Sequence, residues 1–131
     1  MQTVSDNSDL SLRRLSTDIQ SRTEFEVKGI SPIATPSSFE FKLEGAVFAR
    51  SNVVQTIELY DYMAAAWELV DSRNAARSPA PDLVVTVGAT GDLSRFVEAG
   101  TRCVEARVRY RSDNPRQVFG SNTDQTIWTI Q

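Results

Sequence analysis

A strict alternation of apolar and charged residues in the segment SFEFKLEGAVFA (residues 38–49) constrains the fold more than any other feature of the chain. The alternation holds without exception over six positions: Phe39, Phe41 and Leu43 against Glu40, Lys42 and Glu44. A period of two is typical of a β-strand with one buried face. Gly45 follows at once and predicts a β-bulge or a close backbone approach there.

Seven further short runs carry β-strand signals, and turn-forming residues separate them. The runs span residues 10–15, 23–28, 55–61, 67–71, 82–87, 105–111 and 126–130. Between them lie Gly-, Asp-, Asn-, Ser- and Pro-rich segments such as GATGD, EAGT, SDNP and GSNTD, which suit tight reversals. About eight strands at hairpin-like spacing predict an all-β fold, an antiparallel β-sandwich of the jelly-roll type.

The segment QTIELYDYMAAAWELVDSR (residues 55–73) has two interpretations. Its alanines favour a helix, because Ala is the best helix former and is depleted in strands. Its two halves instead alternate like strands: Ile57 and Leu59 against Glu58 and Tyr60, then Trp67 and Leu69 against Glu68 and Val70. Because the other runs of the chain also alternate, a hairpin is the preferred interpretation of this segment, and a short helix is the alternative.

The length of 131 residues suits one domain, predicted over residues 10–131 after a flexible polar tail at residues 1–9. A hydrophobic fraction of 40% and a charged fraction of 24% are ordinary globular values. No apolar run is long enough for a membrane span or a secretory signal, so we expect no membrane insertion. If the protein is exported, its signal lies outside this chain.

The composition excludes several kinds of chemistry. The chain has no histidine, which removes His-dependent nucleophilic sites and His-ligated zinc. Cys103 is the only cysteine, so no internal disulfide or CxxC pair can form, and we expect it to be a half-buried strand residue. The aspartates show no spacing that marks a catalytic pair, and we expect Asp61, Asp71, Asp82, Asp92 and Asp124 to cap turns and strand ends. We predict that the protein is not an enzyme.

Four segments together resemble a known group of domains. They are FEFKLEGAVFA, QTIELYDYMAAAWELVDSRNA, SRFVEAGTRCVEARVRYR and TDQTIW, within about residues 25–130. The combination resembles an uncharacterised C-terminal or accessory domain of secreted bacterial proteins, and the wider galactose-binding-like β-jelly rolls, which include carbohydrate-binding modules. The resemblance implies a non-catalytic module, extracellular or at the cell surface, with a glycan as the leading ligand and a cell-surface protein as another partner. In these modules an acidic residue before the last strand often helps to hold a structural calcium, and Asp124 matches that position.

Two sets of side chains are candidates for ligand binding. Tyr60, Tyr62 and Trp67 form the first, because aromatic rings can stack on the apolar faces of sugars. For Trp67, filling the sandwich core is the preferred alternative. Arg107, Arg109 and Arg111 form the second, a cationic row on one strand face that suits an anionic polysaccharide or a phosphate backbone.

The preferred interpretation of the arginine row is structural. The arginines would pair across strands with carboxylates, the candidates being Glu40, Glu44, Glu58 and Glu68. A net charge of −3 and a pI near 4.9 argue against nucleic-acid binding. The alternative function, from a different class, is a jelly-roll assembly subunit of a shell, fibre or cell-surface layer, which would form oligomers.

Overall fold

The structure of the protein is a computed structural model that describes residues 2–5, 22–77, 81, 83–114 and 119–131. Within these ranges the chain forms eight β-strands and one short 3₁₀ helix, Leu93–Phe96. The strands are β1 (Gln2–Ser5), β2 (Arg22–Ile30), β3 (Phe39–Phe48), β4 (Val53–Asp61), β5 (Ala66–Asn74), β6 (Leu83–Gly88), β7 (Cys103–Ser112) and β8 (Gly120–Ile130). No helix among the described residues is long and apolar enough to cross a membrane.

The strands form two four-stranded sheets, with the orders β1-β8-β3-β6 and β2-β7-β4-β5. Every pair of neighbouring strands is antiparallel. The predicted antiparallel β-sandwich is therefore confirmed. Within the predicted tail, residues 2–5 form β1 against β8. The rest of that tail and the run at residues 10–15 lie outside the described residues, so the domain limits stay a prediction.

The core lies between the inner faces of the two sheets, and the period of two decides which residues enter it. Phe39, Phe41 and Leu43 of β3 are buried, whereas Glu40 is exposed. Trp128 of β8 is fully buried, with its ring centroid 5.6 Å from that of Phe39 and 4.7 Å from that of Phe41. The facing sheet supplies buried residues from β2, β4 and β7: Phe25, Val27, Ile57, Leu59, Val104, Ala106, Val108 and Tyr110.

The β-bulge predicted at Gly45 is present. The pairing of β3 with β8 shifts register between Glu44 and Gly45, whose partners are Gln125 and Thr123. Asp124 is therefore the extra residue on the opposite strand. The irregularity lies where the sequence placed it, but its extra residue belongs to β8.

Residues 55–73 form the β4–β5 hairpin, and the helix alternative is wrong. Asp61 pairs with Ala66 across a four-residue turn, in which Ala65 has a φ of 53°. That left-handed conformation is incompatible with a continuous helix. The alanines thus occupy the turn and not a helical face.

The faces of β5 are the reverse of those predicted. Trp67 pairs with Tyr60 and Leu69 with Glu58, so both lie on the outer face of the sheet, and Leu69 is 59% exposed. A register shift opposite Ile57 and Glu58 leaves Val70 without a partner in the ladder, and Val70 packs against the core. The interpretation of Trp67 as a core residue is wrong, because Trp67 lies outside the core that Trp128 occupies.

Candidate functional site

The predicted aromatic residues meet on the outer face of the β2-β7-β4-β5 sheet, where β4 turns into β5. We call Tyr60, Tyr62 and Trp67 the aromatic cluster; all three are half-buried. The ring of Tyr60 lies between the other two, with centroids 4.9 Å from Tyr62 and 5.1 Å from Trp67. Both contacts are edge-to-face, with interplanar angles of 76° and 73°. The cluster is therefore a set of inclined rings and not a flat platform.

Arg107 of β7 covers part of Trp67. The guanidinium carbon lies 4.5 Å from the centroid of the indole ring. Glu58 accepts two hydrogen bonds from the same guanidinium, 2.8 Å from Nε to Oε1 and 3.1 Å from Nη2 to Oε2. The hydrogen bonds with Glu58 raise the pKa of Arg107. The two-point pairing fixes the guanidinium plane, and the fixed plane packs against the tryptophan ring.

Glu105, the preceding outward residue of β7, holds Tyr62. The phenol of Tyr62 donates a hydrogen bond of 2.6 Å to Glu105 Oε2. Lys28 of β2 lies 3.7 Å from the other oxygen of this carboxylate. Burial, followed by the hydrogen bonds with Glu105 and Cys103, raises the pKa of Tyr62. Cys103 itself is a free, half-buried strand residue, as predicted.

Arg95, in the 3₁₀ helix, ties the hairpin turn to the sandwich. Its carbonyl accepts a hydrogen bond from the backbone N–H of Tyr62 at 2.8 Å. Its guanidinium lies 3.4 Å from Asp61 and 3.0 Å from Glu68, and it packs 4.1 Å from the centroid of the Phe96 ring. We call these contacts the Arg95 clasp. The contacts of Arg95 thus hold the β4–β5 turn, which contains Tyr62, against the 3₁₀ helix.

The arginine row is paired in part, as the structural interpretation predicts. Arg107 binds Glu58, and Arg109 lies 3.6 Å from Glu58 and 3.8 Å from Glu24. Arg111, at the end of the row, is exposed and belongs to none of the ion pairs between described residues. Of the other predicted partners, Glu40 and Glu44 lie on β3 in the opposite sheet, and Glu68 binds Arg95.

Three of the aspartates have local structural roles. Asp61 accepts hydrogen bonds from the backbone N–H groups of Met63 and Ala64, both at 2.9 Å. Asp92 caps the 3₁₀ helix, and its hydrogen bonds with Ser94 lower its pKa. Asp71 pairs with Arg73 of its own strand. Asp82 and the side chain of Asp124 lie outside the described residues.

The described residues contain no cluster of carboxylates for a calcium ion. Calcium takes about six to eight oxygen ligands, most of them from carboxylates and carbonyl groups. Among the described residues, no group of three or more His, Cys, Asp or Glu side chains could hold a metal ion. The backbone places Asp124 at the bulge of β8. No step of ligand binding is therefore assigned to calcium.

Sequence patterns identified Arg107, with Glu58 as one of its candidate partners, but they did not identify Glu105 or Arg95 as neighbours of the cluster. Alternation places Glu105 and Arg107 on one face of β7, but it does not indicate that they contact Tyr62 and Trp67. Arg95 lies between two turn segments, with no local signal of its role. The contacts of all three depend on strand pairing and packing.

No protein family model matches the chain, and no curated protein sequence matches it. Solved structures are similar to it at 9–10% sequence identity. One is the CBM36-1 domain of a multidomain xylanase from the hindgut metagenome of Trinervitermes trinervoides, with a TM-score of 0.56, 9% identity and coverage of 98% of this chain and 95% of that chain.

Two other similar structures are also carbohydrate-binding modules. A CBM36 module in complex with calcium and xylotriose has a TM-score of 0.51 at 10% identity, over 100% of both chains. A family 35 module from Clostridium thermocellum has a TM-score of 0.50 at 10% identity, over 98% of this chain and 88% of that chain. The chain therefore has the antiparallel jelly-roll β-sandwich fold of these carbohydrate-binding modules.

Proposed function

We propose that this domain is a non-catalytic glycan-binding module. The observation that carries the proposal is the aromatic cluster, because three aromatic side chains lie together on the solvent face of a sheet whose inner face already has a complete core. Aromatic rings bury the apolar faces of sugars, and the phenol groups supply polar edges. The fold shared with carbohydrate-binding modules is compatible with this use, although fold alone does not assign it.

An uncharged glycan suits this face better than an acidic one. Arg107 and Arg109 already lie against Glu58 and Glu24, so most of the positive charge of the row is compensated. Arg111 is the member of the row left to contact an anionic group at the rim. We expect binding to neutral oligosaccharides that persists at high salt, because exposed charge interactions are screened whereas apolar contacts are not.

The test is a glycan array with the wild-type protein and the variants Tyr60→Ala, Tyr62→Ala and Trp67→Ala. Phe48→Ala is the matched control, because Phe48 is an exposed aromatic residue (57%) on the other sheet. We expect Trp67→Ala and Tyr60→Ala to weaken binding by about tenfold or more. Binding that is equal in the cluster variants and in the control would remove the cluster from the site.

The non-catalytic part of the proposal has its own test. The chain has no histidine, and Asp61, Asp71 and Asp92 serve turns and ion pairs. We expect that incubation with any glycan bound on the array releases no new reducing ends. We also propose an extracellular or cell-surface location, where polysaccharides are accessible. Release of reducing ends that Trp67→Ala abolishes would instead assign catalysis to this face.

Calcium stays a prediction for this chain, motivated by Asp124 and by one similar structure that holds calcium with xylotriose. The test compares thermal unfolding in EDTA and in millimolar calcium. An ion at 100 times its dissociation constant stabilises the fold by about 2.7 kcal/mol, enough to raise the midpoint by several degrees. A shift that Asp124→Asn removes would assign the ion to Asp124, and equal midpoints would exclude a structural calcium.

A further inference from the structure

Two successive outward residues of β7 each contact a different ring of the aromatic cluster. Glu105 accepts the hydrogen bond of Tyr62, and Arg107 packs against Trp67. Both side chains are only slightly exposed, 17% and 15%. Each has a second partner that sets its position, Lys28 for Glu105 and Glu58 for Arg107. One strand thus reaches both ends of the cluster, with Tyr60 packed between them.

These contacts restrict the motion of the Tyr62 and Trp67 rings, which strand pairing alone does not fix. Trp67 lies on β5, the edge strand of its sheet as far as the structure describes the chain, and Tyr62 lies in the turn. A ring at such a position samples several rotamers unless another side chain packs on it. Each side chain that must be ordered on binding reduces affinity by about two- to twelvefold, and a ring already fixed avoids that loss.

We propose that Glu105 and Arg107 are positioning residues of the glycan site: they hold Tyr62 and Trp67 in the orientation that accepts a sugar. The inference rests on the proposed function and adds residues that need not touch the ligand. The guanidinium of Arg107 is essential to this role, because its planar fork of N–H groups binds Glu58 at two points while its central carbon lies over the Trp67 ring. A lysine keeps the charge and loses both properties.

Fluorine NMR of protein labelled with 5-fluorotryptophan tests the proposal without any ligand. The chain has two tryptophans, and buried Trp128 serves as an internal reference for the fold. Trp67→Phe assigns the resonance of Trp67. In Arg107→Lys we expect the Trp67 resonance to shift or broaden and the Trp128 resonance to stay unchanged. We also expect acrylamide to quench the fluorescence of Trp67 more strongly. Glu58→Gln, which keeps Arg107 but weakens its anchor, should change the same resonance.

Arg73→Lys is the matched control, because Arg73 of β5 binds Asp71 by two hydrogen bonds, as Arg107 binds Glu58, but does not lie over a ring of the cluster. It should leave the Trp67 resonance unchanged. For a glycan that the wild-type protein binds on the array, we expect Arg107→Lys and Glu105→Gln each to lose about two- to twelvefold in affinity, and Arg73→Lys to retain it.

The two possible failures are distinguishable. The positioning role alone would be overturned if Arg107→Lys changed neither the Trp67 resonance nor the glycan affinity, while Trp67→Ala abolished binding. A wild-type protein that binds no glycan would overturn the proposed function and with it any role of Arg107 in binding. A shifted Trp67 resonance together with a matching loss of affinity supports the proposal.

Discussion

At the scale of single residues, Gly29 of β2 lies directly against the side chain of Trp128 of the opposite sheet. A Cβ atom at this position would lie 2.8 Å from Cδ1 and Nε1 of Trp128, well inside contact distance. The indole is fully buried between Phe39 and Phe41, so it cannot move away without disturbing the core. The absence of a side chain at Gly29 therefore permits the largest core residue to occupy its place.

We predict that Gly29→Ala lowers the free energy of unfolding by about 1–3 kcal/mol, because it overpacks the core. Gly88→Ala is the control, since a Cβ atom there has nothing within 4 Å, and we expect a change within about 0.5 kcal/mol. Urea denaturation of both variants measures the difference. Equal stabilities would show that the contact between Gly29 and Trp128 is not tight.

Tyr62 provides a prediction about alkaline pH. Burial and its hydrogen bond to Glu105 raise its pKa above the ordinary value of 10.0, so the unfolded chain releases the phenol proton before the folded protein does. The stability from this bond is fully present below about pH 10 and is lost as the pH rises above it. We expect the wild type to lose more stability than Tyr62→Phe between about pH 8 and about pH 11. Urea denaturation across that range tests it, and parallel profiles would contradict the assignment.

At the scale of structural elements, the Arg95 clasp joins the 3₁₀ helix to the β4–β5 hairpin. Arg95 is 17% exposed and contacts Asp61, Glu68 and the Phe96 ring, so its removal leaves partly buried carboxylates without their cation. Arg73, in contrast, forms an ion pair with Asp71 within one strand and is 44% exposed. The two arginines differ in what they connect, although both bind carboxylates of the same hairpin.

We predict that Arg95→Gln lowers the free energy of unfolding by about 1–3 kcal/mol. Arg73→Gln should cost at most about 0.5 kcal/mol, because exposed ion pairs contribute little. Hydrogen exchange of the Tyr62 amide, which donates to the carbonyl of Arg95, should accelerate in the first variant alone. Comparable losses in the two variants would argue that the clasp adds nothing beyond surface charge.

At the scale of the whole molecule, the exposed apolar residues bear on the choice between a binding module and an assembly subunit. Within the part of the chain that the structure describes, they are Ile30, Ile33, Phe48, Met63, Leu69 and Val84, which belong to six different strands, turns and loops. Scattered exposed apolar residues are ordinary on monomeric proteins, whereas assembly interfaces present contiguous patches. The arrangement favours the binding module.

We therefore predict a monomer of 14.6 kDa in size-exclusion chromatography with light scattering. The mass should not change over a wide range of protein concentration, because no association equilibrium is involved. A closed oligomer or an open series of larger species would favour the assembly subunit. In that case, loss of association in Leu69→Lys or Val84→Lys would identify the edge strand involved.

Much of this fold could be predicted from the local alternation of apolar and polar side chains. Phe39, Phe41 and Leu43 enter the core because a strand places alternate residues on one face, and this requires no knowledge of the neighbouring strands. Gly45 indicated the bulge for an equally local reason. The hairpin at residues 55–73 could be inferred only from its context, since its alanines favour a helix when taken alone.

The sequence indicated the aromatic residues of the candidate site, but tertiary structure alone decided how they are arranged. The unpaired Val70 sets which face of β5 is outward, and so it places Trp67 beside Tyr60 on the surface and not in the core. Glu58 lies opposite Arg107 because of the register of β4 against β7, although the two residues are 49 positions apart in the chain. Periodicity specifies the face of a strand, but the neighbours on that face depend on long-range pairing, which no local pattern encodes.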